Sequence, residues 1–168
     1  LILLLLPTLA WSAGRHGYLG LHAGSLNATG IEGDQANPVI FSLGQRLSAR
    51  FAFQLEYSVA ESFKSQVSKQ GKTETCLVDY STQAAYLVLI QSASSWIDYS
   101  AKLGYLKADY NFKNADISNQ AKEAFNSTNL SYGLGLVLKL NNRIGLIGEY
   151  TQLRSDAYHL SAGVELSF

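Results

Sequence analysis

The last eleven residues, Tyr158 to Phe168, alternate in character without a break. Successive side chains of a strand point to opposite faces. Tyr158, Leu160, Ala162, Val164, Leu166 and Phe168 therefore share one face, and His159, Ser161, Gly163, Glu165 and Ser167 share the other. The first face is apolar throughout and the second is polar or small. This predicts a strand that stays ordered to the final residue, where soluble folds usually fray.

The opposite end reads differently. Residues 1 to 6 are all Leu or Ile and are followed by Pro7-Thr8-Leu9-Ala10-Trp11-Ser12-Ala13-Gly14. A membrane helix needs about 20 apolar residues, so a run this short that closes on small residues reads as the end of a secretory leader. Cleavage after Ser12 sets Ala10 and Ser12 at the small-residue positions. The expected division is a signal peptide over residues 1–12, with its basic start missing, and one domain over 13–168.

Composition fits an exported, membrane-facing chain. Charged residues make up 15%, below the roughly 25% of soluble domains. The formal net charge is zero, which offers nothing to a nucleic acid. Cys76 has no second cysteine to pair with and is expected to be a free thiol. No His or Cys cluster has metal-ligand spacing, and no cofactor is implied.

Alternating segments recur near 16–25, 39–47, 50–60, 79–91, 96–107, 129–140, 143–153 and 157–168. Each approaches the ~9–11 residues with which a tilted strand crosses a bilayer, and their number is even. Short connections near Leu47 to Ala49, Ser92 to Ser95 and Asn141-Asn142 alternate with long ones over 26–38, 63–78 and 108–127 and a short one at Arg154 to Asp156. The pattern predicts an all-β fold, an eight-stranded antiparallel up-and-down transmembrane β-barrel. Its outward parity holds Phe51, Phe53, Leu55, Tyr57 and Val59 on one strand and Leu130, Tyr132, Leu134, Leu136, Leu138 and Leu140 on another. Tyr57, Tyr80, Tyr105, Tyr132, Tyr150 and Tyr158 are expected to form an outward aromatic girdle near the long-loop rim, with Trp96 and Phe168 at the other. Within the segment 79–91, Ala84 to Ile90 is apolar on both faces, so its register is open.

A repeat lies within the hairpins. Arg46-Leu47-Ser48-Ala49-Arg50-Phe51 leads to Glu56-Tyr57, and Lys139-Leu140-Asn141-Asn142-Arg143-Ile144 leads at the same spacing to Glu149-Tyr150. The inward parity then collects Arg46, Arg50, Glu56, Lys102, Lys139, Arg143, Glu149 and Glu165, with Glu165 expected roughly opposite Arg143. Eight strands leave an interior only wide enough for side chains. These charges are expected to pair as a plug.

The leader, the hairpin from Leu136 to Tyr150 and the closing strand to Phe168 together resemble the small outer-membrane β-barrel family that includes the OmpA transmembrane domain and the OmpX/Ail-like proteins. The resemblance implies a bacterial outer-membrane location, contact with outer-membrane lipid and lipopolysaccharide, periplasmic turns and surface loops. It also implies that Phe168 is the signal read by the barrel-assembly machinery. Members include structural anchors, adhesins, serum-resistance factors and narrow pores, so no single activity follows.

Three functions are open. The leading one is a monomeric, non-enzymatic barrel whose loops, carrying Glu32, Asp34, Lys64, Lys69, Lys72, Glu74, Lys113, Asp116, Lys122 and Glu123, contact a surface ligand. The second is a narrow pore gated by its inward charges. The third is a lipid-modifying enzyme resting on His159 beside Ser161, with Glu165 on the same face. Asn27, Asn126 and Asn129 begin Asn-x-Ser/Thr matches that are chance in a bacterial envelope. The structural alternative is a soluble sandwich or lipocalin-like barrel, the same strands turned inside out.

Overall fold

The computed structural model describes residues 17–28, 32–33, 36–69, 72–113 and 127–168. The expected leader, the match at Asn126 and the loop charges Asp34, Asp116, Lys122 and Glu123 lie outside the described residues. The strands are β1 (Gly17–Ala28), β2 (Glu32–Gly33), β3 (Val39–Arg46), β4 (Phe51–Lys69), β5 (Lys72–Ser92), β6 (Ile97–Lys113), β7 (Ser127–Lys139), β8 (Ile144–Arg154) and β9 (Ala157–Ser167). β2 is a two-residue strip on the edge of β4, and the other eight form the wall. Every pairing is antiparallel. The wall closes because β1 pairs with β9, from Tyr18↔Ser167 to Ala28↔Ala157, while β4 pairs with β5.

Alternation decides which way the sheet faces. Burial strictly alternates along the first six residues of β3 and of β8. Leu134, Leu160 and Leu103 on the outer parity are 63%, 58% and 55% exposed, whereas Gln54, Glu56 and Ser58 on the inner parity are buried. A soluble barrel would show the reverse, because leaving this many leucines in water forfeits ~1.5–3 kcal/mol for each. The soluble alternative is therefore excluded, and the outer face is one that hydrocarbon suits.

One rim carries three tight connections, Leu47 to Arg50, Ala93 to Trp96 and Leu140 to Arg143. They share one hydrogen-bond scheme. In each, the first two backbone N–H groups donate to the carbonyl of the residue after the turn: Phe51, Ile97 or Ile144. The side-chain oxygen of Ser48, Ser94 or Asn141 accepts from the backbone N–H groups two and three residues further on, at 2.8–3.3 Å. Such side chains mimic a backbone turn. The sequence repeat holds two copies, and the Ala93–Trp96 turn is a third. The start of β1 and the end of β9 meet on this rim, where Gly17 and Phe168 exchange backbone hydrogen bonds of 3.1 and 2.9 Å.

The other rim departs from expectation. The segment 63–78 is not a loop: β4 and β5 stay paired beyond the expected ends at 60 and 79, up to Lys69↔Lys72. β6 likewise runs on to Lys113 rather than ending at 107. A bulge between Ala60 and Phe63 sets three residue steps of β4 against two of β5. The apolar alternation stops there because the hairpin leaves the apolar band, while its Thr and Val residues still favour strand. Tyr80 is also corrected. β5 sends Tyr80, Thr82, Ala84, Tyr86, Val88 and Ile90 inward, so Tyr80 is 1% exposed and does not join the girdle. Tyr57, Tyr105, Tyr132 and Tyr158 are outward and exposed; Tyr150 is half-buried, its ring 5.4 Å from that of Tyr158.

Gly44 lets β3 accept a ring. It pairs with Tyr18 of β1, and a Cβ there would collide with the Tyr18 ring, which is itself buried. Gly44→Ala is expected to displace Tyr18 and to lower stability by about 1–3 kcal/mol. Urea unfolding in vesicles checks this; an unchanged midpoint would show that the ring moves freely.

Candidate functional site

Lys102 sits at the centre of the bore. β6 directs it inward, and Gly133 on the neighbouring strand β7 makes room: a Cβ at Gly133 would come within 2.8 Å of Lys102 Cε. The Lys102 ammonium donates to Glu56 Oε2 of β4 and to Glu149 Oε1 of β8, both at 2.6 Å. The three side chains are 3%, 1% and 5% exposed. The two glutamates are those of the hairpin repeat, so the repeat delivers one carboxylate from each of two distant hairpins to a single cation.

Neutral donors complete the cluster. The Tyr18 hydroxyl donates to Gln54 Oε1 (2.8 Å), Gln54 Nε2 donates to Glu56 Oε2 (3.3 Å), and Thr151 Oγ1 donates to Glu149 Oε1 (3.2 Å). Lys102 also lies 4.5 Å from the centre of the Tyr86 ring. Ser131 Oγ donates to the Gln152 carbonyl at 2.6 Å, which leaves it to accept from the Tyr86 hydroxyl at 2.9 Å. One ammonium thus ties together strands on opposite sides of the barrel. Buried charges are tolerable only when paired and hydrogen-bonded in this way.

A second charged group lies toward the short-turn rim. Asp98 Oδ1 accepts from Lys139 at 2.7 Å, and Asp98 Oδ2 lies 3.6 Å from Arg46. Ser92 Oγ also donates to Asp98, at 2.7 Å. Asp98 was missing from the expected inward set, although it stands four residues before Lys102 on the same parity. Below it opens a vestibule of about 340 Å³, lined in part by Arg46, Asp98, Lys139, Arg143 and Glu165. A cavity of only about 20 Å³ separates this group from the side chains around Glu149.

The remaining expected charges are placed otherwise. Arg50 and Arg143 are exposed on their turns rather than inside, because each occupies the last turn position, where the chain is still reversing. Glu165 is not opposite Arg143: it pairs in register with Gly145, while the Arg143 carbonyl receives the Ser167 N–H. Glu165 is half-buried and makes no ion pair among the described residues. On the long-loop side, Tyr80 meets His159 Nε2 at 3.0 Å, and Ser58 and Thr82 hydroxyls are 2.5 Å apart. The His159 nitrogen engaged there faces a phenol rather than Ser161, and the geometry does not assemble His159, Ser161 and Glu165 into a nucleophile with its base. Among the described residues, neither ring nitrogen of His22, also buried, has a hydrogen-bond partner. In the Arg154–Asp156 turn, the guanidinium donates to both carboxylate oxygens, 2.6 Å from Nη2, and holds the Asp156 carboxyl below its usual range.

Removing the central cation is expected to be costly. Lys102→Met leaves Glu56 and Glu149 buried and facing one another, and should cost about 3–5 kcal/mol. Adding Glu56→Gln and Glu149→Gln should restore most of it. Urea midpoints in vesicles test this; a Lys102→Met barrel as stable as the parent would contradict the cluster.

The comparisons with known proteins agree with this architecture. No curated protein matches the chain in sequence. Among solved structures, the outer membrane protein AlkL in lipid bilayers is 15% identical with a TM-score of 0.63, covering 95% of this chain and 94% of its own. OprG of Pseudomonas aeruginosa is 12% identical with a TM-score of 0.62, covering 92% and 96%. Ail, the attachment invasion locus protein of Yersinia pestis, solved in complex with the heparin analogue sucrose octasulfate, is 11% identical with a TM-score of 0.57, covering 91% and 97%. At such identities the likeness speaks for the fold. The family model for the outer membrane protein beta-barrel domain matches residues 1–168, and the chain belongs to that family.

Proposed function

We propose that this protein is a monomeric, non-enzymatic barrel of the bacterial outer membrane that engages a surface ligand through the strands projecting beyond its aromatic girdle. The observation that carries this reading is the β4–β5 hairpin. It continues as paired strand past the bulge at Ala60–Phe63 to Lys69↔Lys72, with β2 on one edge and the end of β6 on the other, where Leu77 pairs with Lys113. A paired hairpin offers a surface whose ordering cost is met before any ligand arrives. Lys64, Lys69 and Lys72 lie along it with Glu74. That Ail has been solved with a heparin analogue makes a sulfated glycan the first ligand to try. In this reading the leader over residues 1–12 exports the chain, and Phe168, exposed at the rim, is presented to the assembly machinery.

A pore is the second reading, favoured by the vestibule that leads inward to Asp98. The Lys102 cluster stands across its path, and the two readings part on ion conduction.

Replacing residues 64–77 by a two-residue turn is expected to leave a folded, heat-modifiable barrel but to abolish retention on immobilised heparin, or on host cells if the ligand is another surface group. Binding to both that survives the truncation would refute the hairpin as the contact.

A further inference from the structure

The short-turn rim differs from the rest of the surface in a way neither the fold nor the proposed ligand contact requires. Its three turns, alike in their hydrogen bonds, end at the same position in Arg50, Trp96 and Arg143. The fourth station of the circumference, where β9 meets β1, ends in Phe168. Going round the barrel, the rim therefore reads cation, aromatic, cation, aromatic. Trp96 is 57% and Phe168 56% exposed, and Leu47 and Leu140, the first residues of the two Arg-bearing turns, are 64% and 62% exposed. Leu47 and Leu140 hydrogen-bond across their turns to Phe51 and Ile144 of the outer belt, and Phe168 follows Leu166 on the outer parity, so these apolar groups adjoin the belt.

Charge separates this rim from the opposite one. The three turns hold two cations and no carboxylate: Leu47-Ser48-Ala49-Arg50, Ala93-Ser94-Ser95-Trp96 and Leu140-Asn141-Asn142-Arg143. Asp98 is already taken by Arg46 and Lys139, and Glu165 lines the same vestibule as Arg143 without forming an ion pair with it. Neither Arg50 nor Arg143 makes an ion pair among the described residues. The long-loop side mixes its signs: Lys107 pairs with Asp109 at 3.4 Å, and Asp109 shares a cleft with Glu61 and Asp79. A guanidinium held where apolar side chains enter the hydrocarbon meets the phosphate layer, and guanidinium matches phosphate in a two-pronged geometry.

We infer that the short-turn rim is a collar that recruits anionic phospholipid of the adjacent leaflet, with Arg50 and Arg143 on the headgroup phosphates and Leu47, Trp96, Leu140 and Phe168 among the upper acyl chains. The aromatic stations fix depth, as interfacial Trp does generally. The arginines supply the preference for a net negative headgroup, which salt weakens.

Trp96 reports on its own surroundings. The chain has two tryptophans, Trp11 and Trp96, so Trp11→Phe leaves one. The full-length Trp11→Phe chain is refolded into phosphatidylcholine vesicles containing a minor fraction of phosphatidylglycerol. Bromine is carried either on the phosphatidylglycerol or on an equal fraction of the phosphatidylcholine. Stronger quenching of Trp96 by the brominated anionic lipid is expected, corresponding to roughly fivefold local enrichment. The enrichment should fall away in Arg50→Gln/Arg143→Gln and at high salt, and survive in Arg50→Lys/Arg143→Lys. A heat-modifiable gel shift confirms folding of each variant. Equal quenching by the two lipids in the parent, a preference that persists in the double glutamine variant, or Trp96 untouched by either lipid would each overturn the collar.

Discussion

Hydrocarbon offers no partner to a backbone N–H or C=O, and that constraint forces the sheet to close. The pairings of β1 with β9 and of β4 with β5 are what make the wall edgeless. Closure then fixes everything within: a strand that shows leucine to lipid must turn its alternate residues into a bore too narrow for water to solvate them freely. Those residues satisfy one another. Lys102 does so between Glu56 and Glu149, with Gln54, Thr151 and the Tyr86 ring completing its surroundings.

The arrangement concentrates cohesion at one atom. Glu56 and Glu149 come from hairpins far apart along the chain, and a single ammonium joins them across the bore. The Asp98 group does the same for Arg46 and Lys139 closer to the turns, where solvent enters the vestibule. The deeper group is almost fully buried, whereas the cations of the shallower one are part-exposed. Breaking the first therefore strands charge, whereas screened, part-exposed pairs like the second contribute less.

Much of this was legible because period two survives wherever one face meets lipid. The parity of Glu56, Lys102 and Glu149 could be read directly, and the hairpin repeat set the two glutamates at equivalent positions. What failed did so where the period carries no information. β5 is apolar on both faces around Ala84 to Ile90, so Tyr80 could be assigned to either side, and only its pairing with Tyr110 and Ala60 sets it inward. Beyond Ala60 the hairpin leaves the membrane, both faces turn polar, and a bulge shifts the count, so paired strand looked like loop. Arg50 and Arg143 have the parity of the interior, yet parity has no meaning within a turn. Asp98 carried a readable signal, its spacing from Lys102, and needed only the structure to supply Lys139 as its partner.

The central claim is that side chains, and above all the Lys102 cluster, close the bore. Conductance of the refolded chain in a planar bilayer tests it most directly. A folded barrel that passes no discrete current is the predicted result. Stepwise openings in the unmodified chain would contradict a closed bore and make the inward charges a filter rather than a plug.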